Sequence, residues 1–116
     1  MSWQCLALDL RADPAAIAEY ERWHRSEFVW PEVVRSIREA GILDMQIFRT
    51  GNRLVMLMRV APDFDATAKA EADAANERVQ AWEALMSTFQ QPLPWAEPGQ
   101  KWVPMSRIFD LGSSPG

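Results

Sequence analysis

His24, the one histidine of the chain, follows its one tyrosine by four positions in Glu19-Tyr20-Glu21-Arg22-Trp23-His24. On a helix, residues at i and i+4 stack on the same face, so two proton-carrying side chains share one patch of surface. Imidazole titrates near neutrality while a phenol keeps its proton there. Together they offer a base and an acid. An amphipathic helix with a core tyrosine and a hydrogen-bonded histidine has the same spacing, so spacing alone leaves both readings open. Glu21 and Glu27 lie near enough to orient the imidazole or simply to face water.

Six tryptophans, at positions 3, 23, 30, 82, 95 and 102, are a large share of a 116-residue chain. An indole presents a flat apolar face and a single N–H donor. That combination suits a sugar, which has C–H faces to stack and hydroxyls to bond. Core filling is the competing reading, and for Trp82 it stands beside the functional one. Trp95 and Trp102 bracket a loop, where a pocket wall is the better reading. Arg49 and Arg53 flank a turn and are expected to face solvent or cross-strand acids. With Cys5 the lone cysteine and a single histidine, only carboxylates remain as metal ligands, and none has ligand spacing. No phosphate loop, nucleophile elbow or dinucleotide fingerprint is present. Neither a metal nor a cofactor is expected.

The elements that must position these groups follow from pattern and punctuation. Apolar residues at 48% and charged residues at 24% describe an ordinary globular domain. We expect one domain over residues 1–112 and a flexible tail over 113–116. The net charge of −4 comes with scattered basic residues, which argues against nucleic acid or an anionic membrane as partner. The absence of a basic, apolar leader and the lone Cys5 point to a cytoplasmic protein. Cys5 itself falls in an apolar run and reads as a small buried hydrophobe.

Trp3 to Leu10 reads as a strand. Asp13-Pro14 then starts a helix, with the aspartate as N-cap and the proline at its first position. Ile17, Tyr20, His24 and Phe28 follow at helical spacing until Pro31 interrupts. Glu32 to Ala40 is a second helical stretch closed by Gly41. Ile42 to Arg49 and Arg53 to Val60 form a hairpin about Thr50-Gly51-Asn52, the latter strand apolar on both faces and so central. Asp65 to Gln90 reads as a long helical segment. Its Ala-rich first half is expected to pack closely or to break near Asn76, and its second half carries Val79, Trp82, Leu85, Met86 and Phe89 inward. A Pro/Gly loop over 91–100 leads to a last strand, Trp102 to Leu111, with Pro104 at an edge or bulge. The order is β-α-β-β-α-β, an α+β ferredoxin-like arrangement with helices on one face of an antiparallel sheet. Its other face needs a cover, and a homodimer supplies one.

Tyr20-x-x-x-His24, Trp30-Pro31-Glu32, Gly41 ahead of the second strand, Trp82 and the closing Arg107-Ile108-Phe109-Asp110-Leu111 together resemble the L-rhamnose mutarotase family, which includes proteins assigned to L-fucose. The likeness runs from the first strand to Leu111. It implies a dimeric α/β-barrel type of fold that interconverts the α and β anomers of a 6-deoxy-hexose without a cofactor. It carries the family's helix tyrosine and histidine onto Tyr20 and His24, and its second-helix tryptophan onto Trp82. Rhamnose-type members place fewer residues than Arg25 to Val29 before the Trp-Pro-Glu. They also have an aromatic near Met45, and some carry a Trp-Trp pair where this chain has Ala81-Trp82. These departures surround the sugar pocket. With Gly41-Ile42-Leu43-Asp44-Met45, the Thr50-Gly51-Asn52 turn and Gln91-Pro92-Leu93-Pro94, they lie nearer the L-fucose branch.

The resemblance implies a small neutral sugar as partner and general acid–base ring opening, a device that contributes ~10²–10⁴-fold. His24 is expected as the main proton-transfer group, with Tyr20 as acid partner or orienting donor. Trp82, Trp102 and Trp30 are expected to bind the ring (Trp102 without family support), and Met45 to meet the C5 methyl. Two competitors remain: a cofactor-independent monooxygenase of the same dimeric fold, and a non-catalytic binding domain in which His24 is structural.

Overall fold

The computed structural model describes residues 2–113. Its elements run β1 (Ser2–Leu10), α1 (Pro14–Trp23), α2 (Pro31–Glu39), β2 (Ile42–Thr50), β3 (Arg53–Val60), α3 (Ala66–Ala74), α4 (Glu77–Ser87), β4 (Gln90–Gln91) and β5 (Val103–Pro104). The sheet order is β2-β3-β1-β4, antiparallel throughout, with β5 also on β1. This is the ferredoxin-like order with each connecting helix broken in two.

The breaks have local causes. Asp13 caps α1, its Oδ1 accepting from the Ala15 N–H at 3.0 Å, with Pro14 at the first turn. Asn76 stops what the pattern reads as one helix. Its side chain accepts from the Arg78 and Val79 N–H groups at 3.1 and 3.2 Å and begins α4 anew. Gly41 closes α2 at φ +91°, a conformation that favours glycine, and its carbonyl accepts from the Ala61 N–H at 2.8 Å, tying the helix end to β3. Gly51, at φ +56°, makes the two-residue turn between Thr50 and Arg53.

One face of the sheet carries the core. Leu10 and Leu54 pack with Tyr20 of α1, Val33 of α2, and Trp82 and Met86 of α4. Ile42, Met58 and Val60 form a second cluster. Each large aliphatic side chain taken fully out of water contributes about 1.5–3 kcal/mol. A bulge between Ile42 and Asp44 decides what β2 shows to this core. Unbroken alternation from Ile42 would turn Asp44 and Gln46 inward. The extra residue, Leu43, shifts the phase, so Met45 and Ile47 face the helices instead, beside Met58 and Met56 of β3.

Two expectations need correction. The first helix does not continue through Phe28 but ends at Trp23, with His24 as its C-cap. The last strand is not Trp102 to Leu111 but only Val103–Pro104, paired with Ala7 and Leu6. Pro104 has no N–H to give the ladder, and after the Met105 N–H bond to the Cys5 carbonyl at 2.8 Å the chain leaves the edge of β1. Of the two readings of the Ala-rich half, the break near Asn76 is the one observed: α3 ends at Ala74, α4 starts at Glu77, and the alanines are exposed. Of the expected tail, Ser113 closes a 3₁₀ turn that begins at Leu111, and 114–116 lie outside the described residues. Among the described residues no helix is long and apolar enough to cross a membrane.

Candidate active site

Between the helices and the sheet lies a cavity of about 310 Å³, a size suited to a small ligand. Tyr20, His24, Met45, Trp82 and Trp102 all line it. Trp30 is not among the lining residues; it packs on Trp82 from behind, rings 5.2 Å apart, under the Arg78 guanidinium. Trp95 is turned out to solvent, beneath Arg53. Phe28, released from the helix, is also exposed and lies under Arg22.

The Tyr20 and His24 rings stack at 4.3 Å, and the imidazole meets Trp82 edge-on at 5.4 Å. The pair stays together although α1 ends between its members. His24 Nδ1 lies 2.7 Å from the Tyr20 carbonyl oxygen. A carbonyl can only accept, so in the neutral ring Nδ1 carries the proton and Nε2 keeps its lone pair. Glu21 and Glu27, the two acids that might have oriented the ring, are engaged elsewhere: Glu21 with Arg49, Glu27 with Ser26.

Burial lowers the His24 pKa below its ordinary value, with the Tyr20 carbonyl pulling more weakly the other way. At neutral pH the imidazole is therefore uncharged and basic. Burial pushes the Tyr20 phenol up to about 12, against an opposing hydrogen bond with the Gln90 side chain. It keeps its proton. The site thus holds a ready acceptor beside a donor that does not ionise, walled by indoles and methionines. Gln90 lines the same cavity, and its Oε1 is buried without a hydrogen-bond partner among the described residues.

Sequence reasoning missed the polar part of the lining: Ser36, Lys69, Asp73, Glu83, Gln90 and Lys101. The one available signal was Lys69 and Asp73 standing four apart in an alanine run. Among the arginines, Arg53 forks onto the buried Asp9 at 2.8 and 3.1 Å, its cross-strand partner, and Arg49 reaches Glu21. Cys5 is partly buried beside Met105. Among the described residues no group of three or more His, Cys, Asp and Glu is placed to hold a metal ion.

The chain is 56% identical over 110 residues to an L-fucose mutarotase of Xanthomonas campestris pv. campestris, covering 95% of this chain and 88% of that protein. An L-rhamnose mutarotase of Acidiphilium cryptum is 32% identical over 108 residues, covering 91% and 96%. The crystal structure of an L-rhamnose mutarotase from Formosa agariphila superposes with a TM-score of 0.69 at 20% identity, covering 96% of this chain and 99% of that one. The tetracenomycin F2 cyclase of Streptomyces glaucescens has the same fold, with a TM-score of 0.62 at 14% identity, covering 99% and 100%. The family model described as L-rhamnose mutarotase matches residues 4–111. The chain belongs to the L-rhamnose mutarotase family and is a sugar mutarotase, an isomerase acting at the anomeric carbon.

Proposed function

We propose that this enzyme interconverts the α and β anomers of a 6-deoxy-hexopyranose, with L-fucose favoured over L-rhamnose, and that His24 moves the proton. The observation that carries the reading is the Nδ1 bond to the Tyr20 carbonyl. It leaves Nε2 as the basic atom of an imidazole that burial holds neutral. Nε2 takes the proton of the anomeric hydroxyl, the bond from C1 to the ring oxygen breaks, and the imidazolium returns that proton to the ring oxygen. The open-chain aldehyde turns about its C1–C2 bond and closes on the other face by the reverse steps. Tyr20 holds the sugar oxygens as a hydrogen-bond donor rather than as a proton source, because a phenol with a raised pKa gives up its proton less readily.

Trp82 and Trp102 supply flat walls for the ring, and Trp30 supports Trp82. Met45, with Ile47, Met56 and Met58 around it, gives the C5 methyl an apolar seat. The preference for L-fucose is supported by the 56% identical relative that bears that name. The exposed apolar residues support a homodimer. Trp3 and Phe48 on the open face of the sheet, and Ile108, Phe109 and Leu111 after β5, are 48–96% exposed in the single chain. A second copy laid on that face would cover them.

Anomer-exchange NMR on L-fucose and L-rhamnose tests the activity. We expect fast exchange with the wild type, fastest on L-fucose, and a fall of ~10²–10⁴-fold for His24→Ala. A wild type no faster than buffer on any 6-deoxy-hexose would sink the mutarotase reading. Rate retained in His24→Ala would leave the activity and remove this mechanism.

A further inference from the structure

In α3 the usual amphipathic arrangement is inverted. None of its residues is fully buried, its alanines are exposed, and the two residues it turns inward are Lys69 and Asp73. Their side chains form an ion pair at only 24% and 15% exposure, and both line the cavity that holds Tyr20 and His24. The surface pair Arg22–Glu19, by contrast, stands at 36% and 48%.

Helix stability does not account for this pair. A lysine four residues before an aspartate is the less favourable order along a helix. Asp73 also sits in the last turn, where the helix dipole opposes a negative charge. Packing does not account for it either, since alanines were available in the same helix to face the body of the protein. Ser36, Lys69 and Asp73 border a second, more polar cavity as well, so the pair stands as a partition between the two spaces.

We propose that Lys69 and Asp73 are substrate-binding residues that recognise the vicinal O3/O4 hydroxyls of the sugar and so determine its epimer preference. This rests on the mutarotase reading above. The chemistry matches: an ammonium gives hydrogen bonds and a carboxylate accepts them, while a vicinal diol does both at adjacent atoms. As a neutral pair, the two charges hold no net attraction for ions. The wall formed by Tyr20 and His24 takes C1 and the ring oxygen. The polar wall on α3 is then left for the hydroxyls across the ring, at C3 and C4. L-Fucose presents these two on one side of the ring, whereas its 4-epimer does not.

Calorimetric titration with methyl α-L-fucopyranoside, its 4-deoxy analogue and its 4-epimer tests this, because a methyl glycoside cannot ring-open and binding is read apart from turnover. Hydrogen bonds to charged groups correspond to about 10–100-fold in affinity. The wild type is expected to bind the 4-deoxy analogue and the 4-epimer weaker by that factor. Asp73→Asn and Lys69→Met are expected to bind all three alike, near the weaker value. In anomer exchange of L-fucose both variants should raise KM while leaving kcat within a few-fold. Each single variant leaves its partner's charge unpaired at low exposure and should melt somewhat lower. The neutral double variant Lys69→Gln/Asp73→Asn is expected to keep the wild-type melting temperature and show the same loss of discrimination, which separates recognition from folding. Variants that keep the wild-type preference for the 4-hydroxyl would overturn this proposal while leaving the mutarotase activity standing. A wild type inactive on every 6-deoxy-hexose would overturn both.

Discussion

An alkaline titration of this chain is a titration of one phenol, because Tyr20 is the only tyrosine. Its side chain is buried and its pKa is pushed up to about 12 by that burial. In the unfolded chain the same group titrates near the ordinary value of about 10. The folded pKa lies above the unfolded one, so the stability tied to the neutral phenol is fully present below pH ~10 and is lost as pH rises toward ~12. Two pKa units at ~1.4 kcal/mol each make that loss about 3 kcal/mol, a large part of the stability of a small domain. Phenolate absorbance and circular dichroism followed together give the folded pKa. Urea unfolding at pH ~9 and ~12, in wild type and Tyr20→Phe, isolates the phenol from the lysines and arginines that also titrate there. The wild type should lose about 2 kcal/mol more than Tyr20→Phe over that interval, because at pH ~12 the folded phenol is itself only half ionised. Phenolate appearing near pH ~10 with the circular dichroism intact would refute the reasoning, and with it the role of Tyr20 as a donor that never ionises.

His24 gives the opposite limb. On the proposed mechanism its neutral form is the active one, and burial lowers its pKa, so kcat/KM should hold as pH falls through about 6.5 and decline only below it; a decline centred above that value would contradict a buried base. Trp82 is 8% exposed at the centre of the core, and Trp82→Ala should lose about 3–5 kcal/mol in urea unfolding as well as most activity. Gly41 sits at φ +91°, and a Cβ there would meet only Ala61 Cβ, at an ordinary 3.7 Å. Gly41→Ala should therefore cost only backbone strain, about 1–2 kcal/mol by the same measurement.

Punctuation residues made much of the fold legible. Asp13-Pro14, Gly41 and Gly51 each act at the position where they stand, through a cap bond or a positive φ, and each boundary is where they put it. What stayed hidden depends on distant partners. No glycine or proline marks the end of α1 at Trp23, and the bulge at Leu43 carries no residue signature. That bulge is what turns Met45 to the cavity, so its presence there was legible only through the family resemblance. The strand expected over Trp102 to Leu111 has a strand-like pattern, but only Val103–Pro104 pairs with β1, and Pro104 cannot donate to the ladder. In α3 the pattern leaves close alanine packing and a break near Asn76 both open; the break was legible, but that Lys69 and Asp73 would face inward was not. The Tyr20/His24 juxtaposition was readable from spacing, whereas the polar residues that share their cavity needed the third dimension.

His24 ends α1 and also sets its own chemistry, through a single bond. Its backbone N–H donates to Glu21 O at 3.1 Å, and the carbonyl of Tyr20, one of those a helix end leaves over, takes ring Nδ1 instead. On the proposed mechanism, position 24 therefore serves helix termination and proton transfer through the same acceptor. Engineering that lengthens α1 by restoring the regular bond to that carbonyl would satisfy the helix and free the ring to change tautomer. Local stability and activity oppose each other at that one acceptor, and a more stable variant of this enzyme should be sought elsewhere in the chain.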